Sequence, residues 1–138
     1  TQMHEIGHNF GLKHSGEEEP NCDDSCDEYR DWVGAMGVGT RTDDGPIICY
    51  NGPHSWHLGW YDNRHLTVDS DSSTLPRTVT LTGIDNWTPF SGTTIILRVR
   101  DDCGIFQGKA YYIMYNHAVG INSGTEEGED EITVVWGK

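Results

Sequence analysis

The sequence is short of positive charge, because its 9 Lys and Arg residues stand against 22 Asp and Glu residues, for a formal net charge of −13 at pH 7. An acidic surface repels nucleic acid and anionic lipid, so we expect neither as a partner. Long apolar runs are lacking too: no stretch reaches the roughly eighteen apolar residues that a membrane-spanning helix needs. At 138 residues the chain is long enough for one domain with a hydrophobic core.

A secretory leader is also lacking, and the sequence stops within the strand-like run EITVVWGK. We therefore interpret the chain as part of a longer protein, cut just before its own first helix. Export would then be decided by residues upstream of Thr1.

Cysteine is scarce, and an even number of cysteines is typical of disulfide-bonded exported proteins. Four buried thiols are the alternative, and the spacing leaves three pairings open. The candidate disulfide residues are Cys22, Cys26, Cys49 and Cys103. Asn86, in the triplet NWT, is a candidate glycosylation site that the nearby Pro89 weakens.

The first half of the chain predicts short helices separated by glycine-rich turns. We expect a helix over residues 3–12, with Met3, Ile6, Phe10 and Gly7 on its inward face. Gly11 should end it, because glycine readily takes the positive φ of a helix exit. A second short helix is expected to open near Pro53.

The second half predicts β-structure. Short β-branched and aromatic runs, separated by turn residues, favour an antiparallel sheet or small sandwich: TVTLTG, TIILRVR, AYYIMYN and ITVVW. The boundary falls near residues 62–76, where DSDSSTLP has the composition of a linker, so we predict an α+β protein with a site-bearing part, 1–61, and a β-rich part, 62–138.

Residues 17–31 are strongly acidic. Clustered carboxylates suit Ca²⁺, but the spacing lacks the pattern of an EF-hand. We interpret the stretch as a solvated loop. Ca²⁺ is a candidate ion for it, although no motif supports this assignment.

The most informative stretch is HEIGHNFGLKH, which follows the pattern HExxHxxGxxH. His4 and His8, four residues apart, project from one face of a helix, so both can reach one Zn²⁺. The turn at Gly11 allows His14 to return as the third ligand. Three neutral imidazoles leave a fourth position for water, as in catalytic zinc sites.

Glu5 lies beside the first histidine and suits the role of the base that takes a proton from that water. The alternative is a packed helix that carries histidines by chance. The further match at Gly11 and His14 argues against this alternative, because HExxH alone is a weaker pattern.

These residues resemble the zinc motif of the metzincin clan of metallopeptidases. Within that clan the chain is most similar to the gametolysin-like (M11) peptidases, through AMG at 35–37, CYNGPHSWHLGWY at 49–61 and YYIMYNHAVGINSGTEEGED at 111–130. The resemblance implies His4, His8 and His14 as zinc ligands, Glu5 as catalytic base and a methionine turn at Met36.

The resemblance also implies a fold: the C-terminal half of a metzincin-like catalytic domain, followed by a β-rich segment. Some metzincins have a metal-binding or oxyanion-stabilising tyrosine two residues after this methionine. Val38 stands at that position here, so such a tyrosine is not supported. His54 and His57 are interpreted as packing and surface residues rather than ligands.

The function expected from the resemblance is a secreted zinc endopeptidase. It would hydrolyse peptide bonds of extracellular or cell-wall (glyco)proteins with a Glu-assisted, zinc-bound water. Because metzincins hold the substrate along a sheet edge upstream of the zinc helix, we expect the isolated chain to be poorly active.

Two alternatives remain open at the level of sequence. One is a cell-wall or glycan-binding module that uses aromatic residues of the β-rich part: Trp87, Tyr111, Tyr112 and Tyr115. The other is a non-catalytic homologue stabilised by zinc, against which the presence of Glu5 argues.

Overall fold

The computed structural model describes residues 2–16, 28–37, 47–70, 77–88, 92–100, 109–125 and 127–137. Within these ranges the chain forms two α-helices, three short 3₁₀ helices and a four-stranded sheet, which confirms the mixed α+β class. None of the helices in the described ranges has the length and apolarity that crossing a membrane requires.

The first helix, α1, spans Gln2–Asn9 and is therefore shorter than the predicted 3–12. The chain leaves it through a turn at Gly11, whose φ of +80° confirms the predicted helix exit.

The predicted inward face of α1 was wrong in part. Ile6 and Phe10 are 47% and 54% exposed, whereas the buried residues of the helix are His4 and Gly7. The helix packs so closely through Gly7 that its Cα lies directly against the Met36 sulfur, with no room for a side chain. Ile6 and Phe10 do not lie on this face of the helix, so they remain exposed to solvent.

The second helix, α2, spans Gly52–His57 and begins where Pro53 predicted a short helix. Asn51 caps it, because its side-chain oxygen accepts a hydrogen bond from the backbone N–H of His54 at 3.1 Å. A Cβ atom on Gly52 would lie 2.8 Å from the Cβ of Tyr112, so glycine allows this helix to pack tightly on the sheet.

Four strands form the sheet in the order β1-β2-β3-β4. They are β1 (His65–Asp69), β2 (Ile96–Arg100), β3 (Ala110–Tyr115) and β4 (Ile132–Gly137). β1 and β2 are parallel, whereas β2–β3 and β3–β4 are antiparallel.

The sheet corrects two predictions. The arrangement is mixed rather than antiparallel, because β1 runs parallel to β2. In addition, β1 lies in the boundary region 62–76, where no strand was predicted, and ends at the first residue of the linker-like DSDSSTLP, while the predicted strand TVTLTG contributes only an isolated bridge from Leu81 to Thr94. Pairing with β2 makes a strand of His65–Asp69, which its composition alone did not favour.

The inner face of the sheet packs against α2 and carries one of two hydrophobic clusters. Its buried members include Ile95, Ile96, Tyr112 and Met114. Trp56 of α2 packs against this cluster. Its ring also stacks on that of His65, with centroids 4.1 Å apart. The second cluster lies under α1 and contains Leu12, Ala35, Met36 and Tyr50.

The outer face of the sheet is formed by the alternate positions of each strand. The register places ten apolar side chains there: Leu66, Val68, Leu97, Val99, Tyr111, Ile113, Tyr115, Ile132, Val134 and Trp136. On edge strand β4 this face is open, and Val134 is 58% exposed.

The aromatic residues proposed as a glycan platform therefore do not share one surface. Tyr112 is buried in the inner cluster, whereas Tyr111 and Tyr115 lie half-buried on the outer face. Trp87 is exposed just after the 3₁₀ helix Ile84–Asn86.

Candidate metal centre

Three histidines meet at one end of the molecule. α1 supplies His4 and His8, and the chain that follows Gly11 brings His14 back beside them. Each offers a ring nitrogen, and these nitrogens all lie within 4.8 Å of one another. The ring centroids are 4.7–5.1 Å apart.

The other ring nitrogen of each histidine bonds to an oxygen. His4 Nδ1 donates to the backbone carbonyl of Ala35 at 3.0 Å, and His8 Nδ1 donates to that of Leu12 at 3.0 Å. His14 Nδ1 lies 2.5 Å from Glu28 Oε1. Since oxygens of this kind only accept, Nδ1 carries the hydrogen in every ring and Nε2 is left with its lone pair.

This arrangement fits a cation. The Nε2 atoms of His8 and His14 face each other at 3.0 Å. Two bare lone pairs at this distance need a proton or a metal ion between them. Two nitrogens bound to one tetrahedral zinc would be about 3.3 Å apart, so little adjustment is required.

Burial keeps His4 suited to metal binding. Burial is the largest influence on its pKa and lowers it, and the neighbouring His8 and His14 lower it further. The hydrogen bond that His4 donates to the Ala35 carbonyl and the charge of Glu5 act in the opposite direction. The net result favours the neutral imidazole, which is the form that binds a metal.

Glu5 lies on α1 directly after His4, with its side chain exposed. Its charge acts on His4, although its carboxylate does not belong to the group of converging ligand atoms. It is therefore beside the centre rather than in it.

Met36 forms the floor of the centre. Its side chain is fully buried and lies against Gly7, between the two histidines of α1. The backbone of the same turn binds both ligand segments: Ala35 accepts from His4, and the Met36 carbonyl accepts from the Ser15 N–H at 3.0 Å.

Asp31 fixes the segment after the third histidine and was not singled out from the sequence. It is buried, and its Oδ2 accepts from the Ser15 hydroxyl and the Asn51 amide, each at 2.7 Å. Its Oδ1 accepts from the backbone N–H of Val33 at 2.9 Å. These bonds connect the His14 segment to the start of α2.

Glu28 and Tyr29 were also missed. Both lie in the acidic stretch interpreted as a solvated loop, of which residues 17–27 fall outside the described ranges. Nothing in the sequence pattern separates Glu28 from the other acidic residues there, so only the structure could identify it. The Ca²⁺ suggestion for this stretch stays a prediction.

A groove with a volume of about 1030 Å³ opens beside His14. Its walls are the 11–16 segment, α2 and edge strand β4, and His54 and His57 line it rather than joining the three histidines. Burial lowers the pKa of His54. Its Nδ1 is buried and has no hydrogen-bond partner among the described residues.

Of the candidate disulfide residues, only Cys49 falls within the described ranges, and it is a free thiol. Burial raises its pKa to about 11, and its Sγ lies 3.4 Å from the Ile121 carbonyl. Cys22, Cys26 and Cys103 lie outside the described residues, so any pairing among them stays a prediction. Asn86 is exposed, as a glycosylation site requires, and its modification likewise stays a prediction.

Comparison with known proteins gives one match. The family model described as gametolysin peptidase M11 matches residues 1–103, which include the three histidines, Glu5 and the Met36 turn. No curated protein and no solved structure matches the chain. Since the match covers most of the sequence, the chain belongs to the gametolysin peptidase M11 family, a family of metallopeptidases.

Proposed function

We propose that this chain carries the zinc centre of an endopeptidase that cuts extracellular or cell-wall (glyco)proteins. The observation that carries the proposal is the convergence of His4, His8 and His14, each with Nδ1 bonded to an oxygen and Nε2 left for a metal. In this proposal the three histidines hold Zn²⁺, and Met36 supports them from below.

Bound zinc would supply a Lewis acid that polarises the scissile carbonyl and lowers the pKa of water towards ~7. In this proposal Glu5 transfers the proton, and two observations support this role: it follows His4 on α1, and its side chain is exposed. It accepts a proton from the attacking water and then delivers it to the leaving amine.

The groove beside His14 supports a polymeric substrate. Its volume of about 1030 Å³ is at the upper end for small-molecule sites, so it has room for several residues of an extended peptide. The extracellular or cell-wall identity of that substrate rests on the resemblance to gametolysin-like peptidases.

The test is Glu5→Gln, which keeps the shape of the side chain and removes its basicity, compared with the wild type at a protein concentration high enough to measure the low rate expected of the isolated chain. Hydrolysis of a fluorogenic peptide mixture and of cell-wall glycoprotein should fall by about 10²–10⁴-fold, the usual contribution of a general base. The zinc content of the variant should not change, because Glu5 is outside the ligand group.

Glu129→Gln is the matched control, since it removes the same charge from an exposed position on the 127–131 turn. It should keep wild-type activity. Equal hydrolysis by wild type and Glu5→Gln would overturn the mechanism. Zinc binding without hydrolysis in any variant would instead favour the non-catalytic, zinc-stabilised homologue.

A further inference from the structure

The three histidines differ in what their Nδ1 atoms contact. His4 and His8 donate to neutral backbone carbonyls, of Ala35 and Leu12. His14 donates to a carboxylate, that of Glu28, at 2.5 Å. A hydrogen bond to a charged acceptor is stronger, and it makes the imidazole a better metal ligand.

His14 also differs in what positions it along the chain. His4 and His8 are fixed by the α1 helix, whereas His14 lies in the 12–16 segment, which has no regular secondary structure. Contacts from elsewhere in the chain must therefore fix the orientation of its ring.

The 28–31 segment provides these contacts. The Tyr29 ring packs on the His14 ring, with centroids 4.1 Å apart and planes at 41°. One residue further on, Ser15 is bonded through its hydroxyl to Asp31 at 2.7 Å, and its carbonyl accepts from the Asp31 N–H at 3.3 Å. The two segments thus run side by side, with Glu28 and Tyr29 at the histidine.

We propose that Glu28 is the positioning residue for the third ligand: its carboxylate orients His14 and strengthens its bond to zinc, while Tyr29 packs the ring in place. The zinc itself is part of the function proposed above, on which this inference rests. Glu28 does not contact the metal in this proposal, because it acts through Nδ1 of His14.

The exposure of Glu28 and His14 to solvent distinguishes a role in zinc binding from a role in folding stability. The Glu28 side chain is 53% exposed and that of His14 is 20% exposed. An ion pair so open to solvent contributes little to stability. Loss of Glu28 should therefore weaken zinc binding and leave the stability of the zinc-free chain almost unchanged.

The experiment compares Glu28→Ala and Glu28→Gln with the control Glu129→Gln in the full chain. The zinc dissociation constant is measured by competition with a chromogenic chelator, and stability by urea unfolding of the zinc-free protein. We expect Glu28→Ala to weaken zinc binding by about 10–100-fold, the usual effect of losing such a partner. Glu28→Gln should fall between Ala and wild type, because it keeps an oxygen acceptor without the charge.

The visible absorption of the Co²⁺-loaded protein gives a second readout, since it reports the ligands and geometry around the metal. Glu28→Ala should alter this spectrum, whereas Glu129→Gln should not. A dissociation constant for Glu28→Ala equal to wild type would overturn the proposal. An equal loss in Glu129→Gln would also overturn it, because the effect would then be overall charge.

The outcome is independent of the test of catalysis. If zinc binding depends on Glu28 but the wild-type chain does not hydrolyse peptides, the proposed function fails and this inference stands. If hydrolysis depends on Glu5 while Glu28→Ala binds zinc normally, only this inference fails.

Discussion

The metal centre and the sheet are held together in different ways. Around the centre, the described residues form one eight-residue helix and turns, and side-chain hydrogen bonds to backbone or carboxylate oxygens position each histidine. The sheet relies on strand pairing and on one apolar cluster that includes Ile96 and Tyr112. Order in the first region comes from these polar contacts together with the apolar cluster under α1, whereas order in the second comes from strand pairing and burial.

This contrast means that metal affinity and folding stability should respond to different substitutions. Changes in the sheet should lower the free energy of unfolding and leave the centre intact in the folded molecules. Changes under the histidines should affect both quantities, because the same side chains that pack there also position the ligands.

The largest effect on stability is expected in the sheet. Ile96→Ala empties a fully buried position on β2 and should cost about 2–5 kcal/mol of unfolding free energy. Zinc affinity, measured where the variant is still folded, should be unchanged. Val134→Thr, on the open outer face of the same sheet, is the control and should change stability by less than about 0.5 kcal/mol.

Under α1 we expect a smaller loss of stability that is accompanied by a loss of zinc affinity. Gly7→Ala would push a methyl group against the Met36 sulfur, and the same methyl group would lie 3.1 Å from the Tyr50 hydroxyl oxygen and 3.2 Å from its ring. Such overpacking should cost about 1–3 kcal/mol, and it should also weaken zinc binding by displacing α1. Urea unfolding and chelator competition measure the two effects.

Gly59→Ala is the matched control for Gly7→Ala. Gly59 has a φ of +71° but open space around its Cβ position, so alanine there strains the backbone without moving the centre. Its zinc affinity should equal that of wild type. A weakened affinity in Gly59→Ala, or a normal one in Gly7→Ala, would contradict the close packing of α1 on Met36.

The smallest effect concerns pH. Burial lowers the pKa of His54, so the folded state favours the neutral ring. Below the usual pKa of about 6.5 the unfolded chain therefore binds more protons than the folded one. The unfolding free energy should fall as the pH drops through this value.

His54→Gln should reduce this dependence, because glutamine does not titrate. Urea unfolding of the zinc-free protein between pH 8 and 5.5 measures the slope for both chains. The other histidines contribute to both slopes, so the difference between them isolates His54. Identical slopes would show that His54 titrates alike in the folded and unfolded states.

Much of the fold was predictable because the signals are local. The exit at Gly11, the short helix near Pro53 and the strands β2, β3 and β4 follow from backbone preferences and β-branched runs. β1 and its parallel pairing were not predictable, since His65–Asp69 becomes a strand only through contact with a segment about thirty residues away.

In the candidate site, too, some residues were predictable from local spacing and others were not. The spacing of His4, Glu5, His8 and His14 predicted a cluster, because an α-helix places residues four apart on one face. Nothing local indicated that Glu28 and Tyr29 reach His14, or that Asp31 bonds to Ser15. These contacts join residues that are about fifteen apart in the sequence.

By itself, then, the sequence determined which residues can bind a metal and which short segments become helix or strand, since both depend on spacing and local backbone energetics. The tertiary structure decided which face of α1 is buried, since Met36 packs against Gly7 and leaves Ile6 outside. It also decided which acidic residue bonds to His14. Packing contacts and hydrogen bonds between residues far apart in the sequence depend on how the whole chain folds. No periodicity in the sequence predicts them.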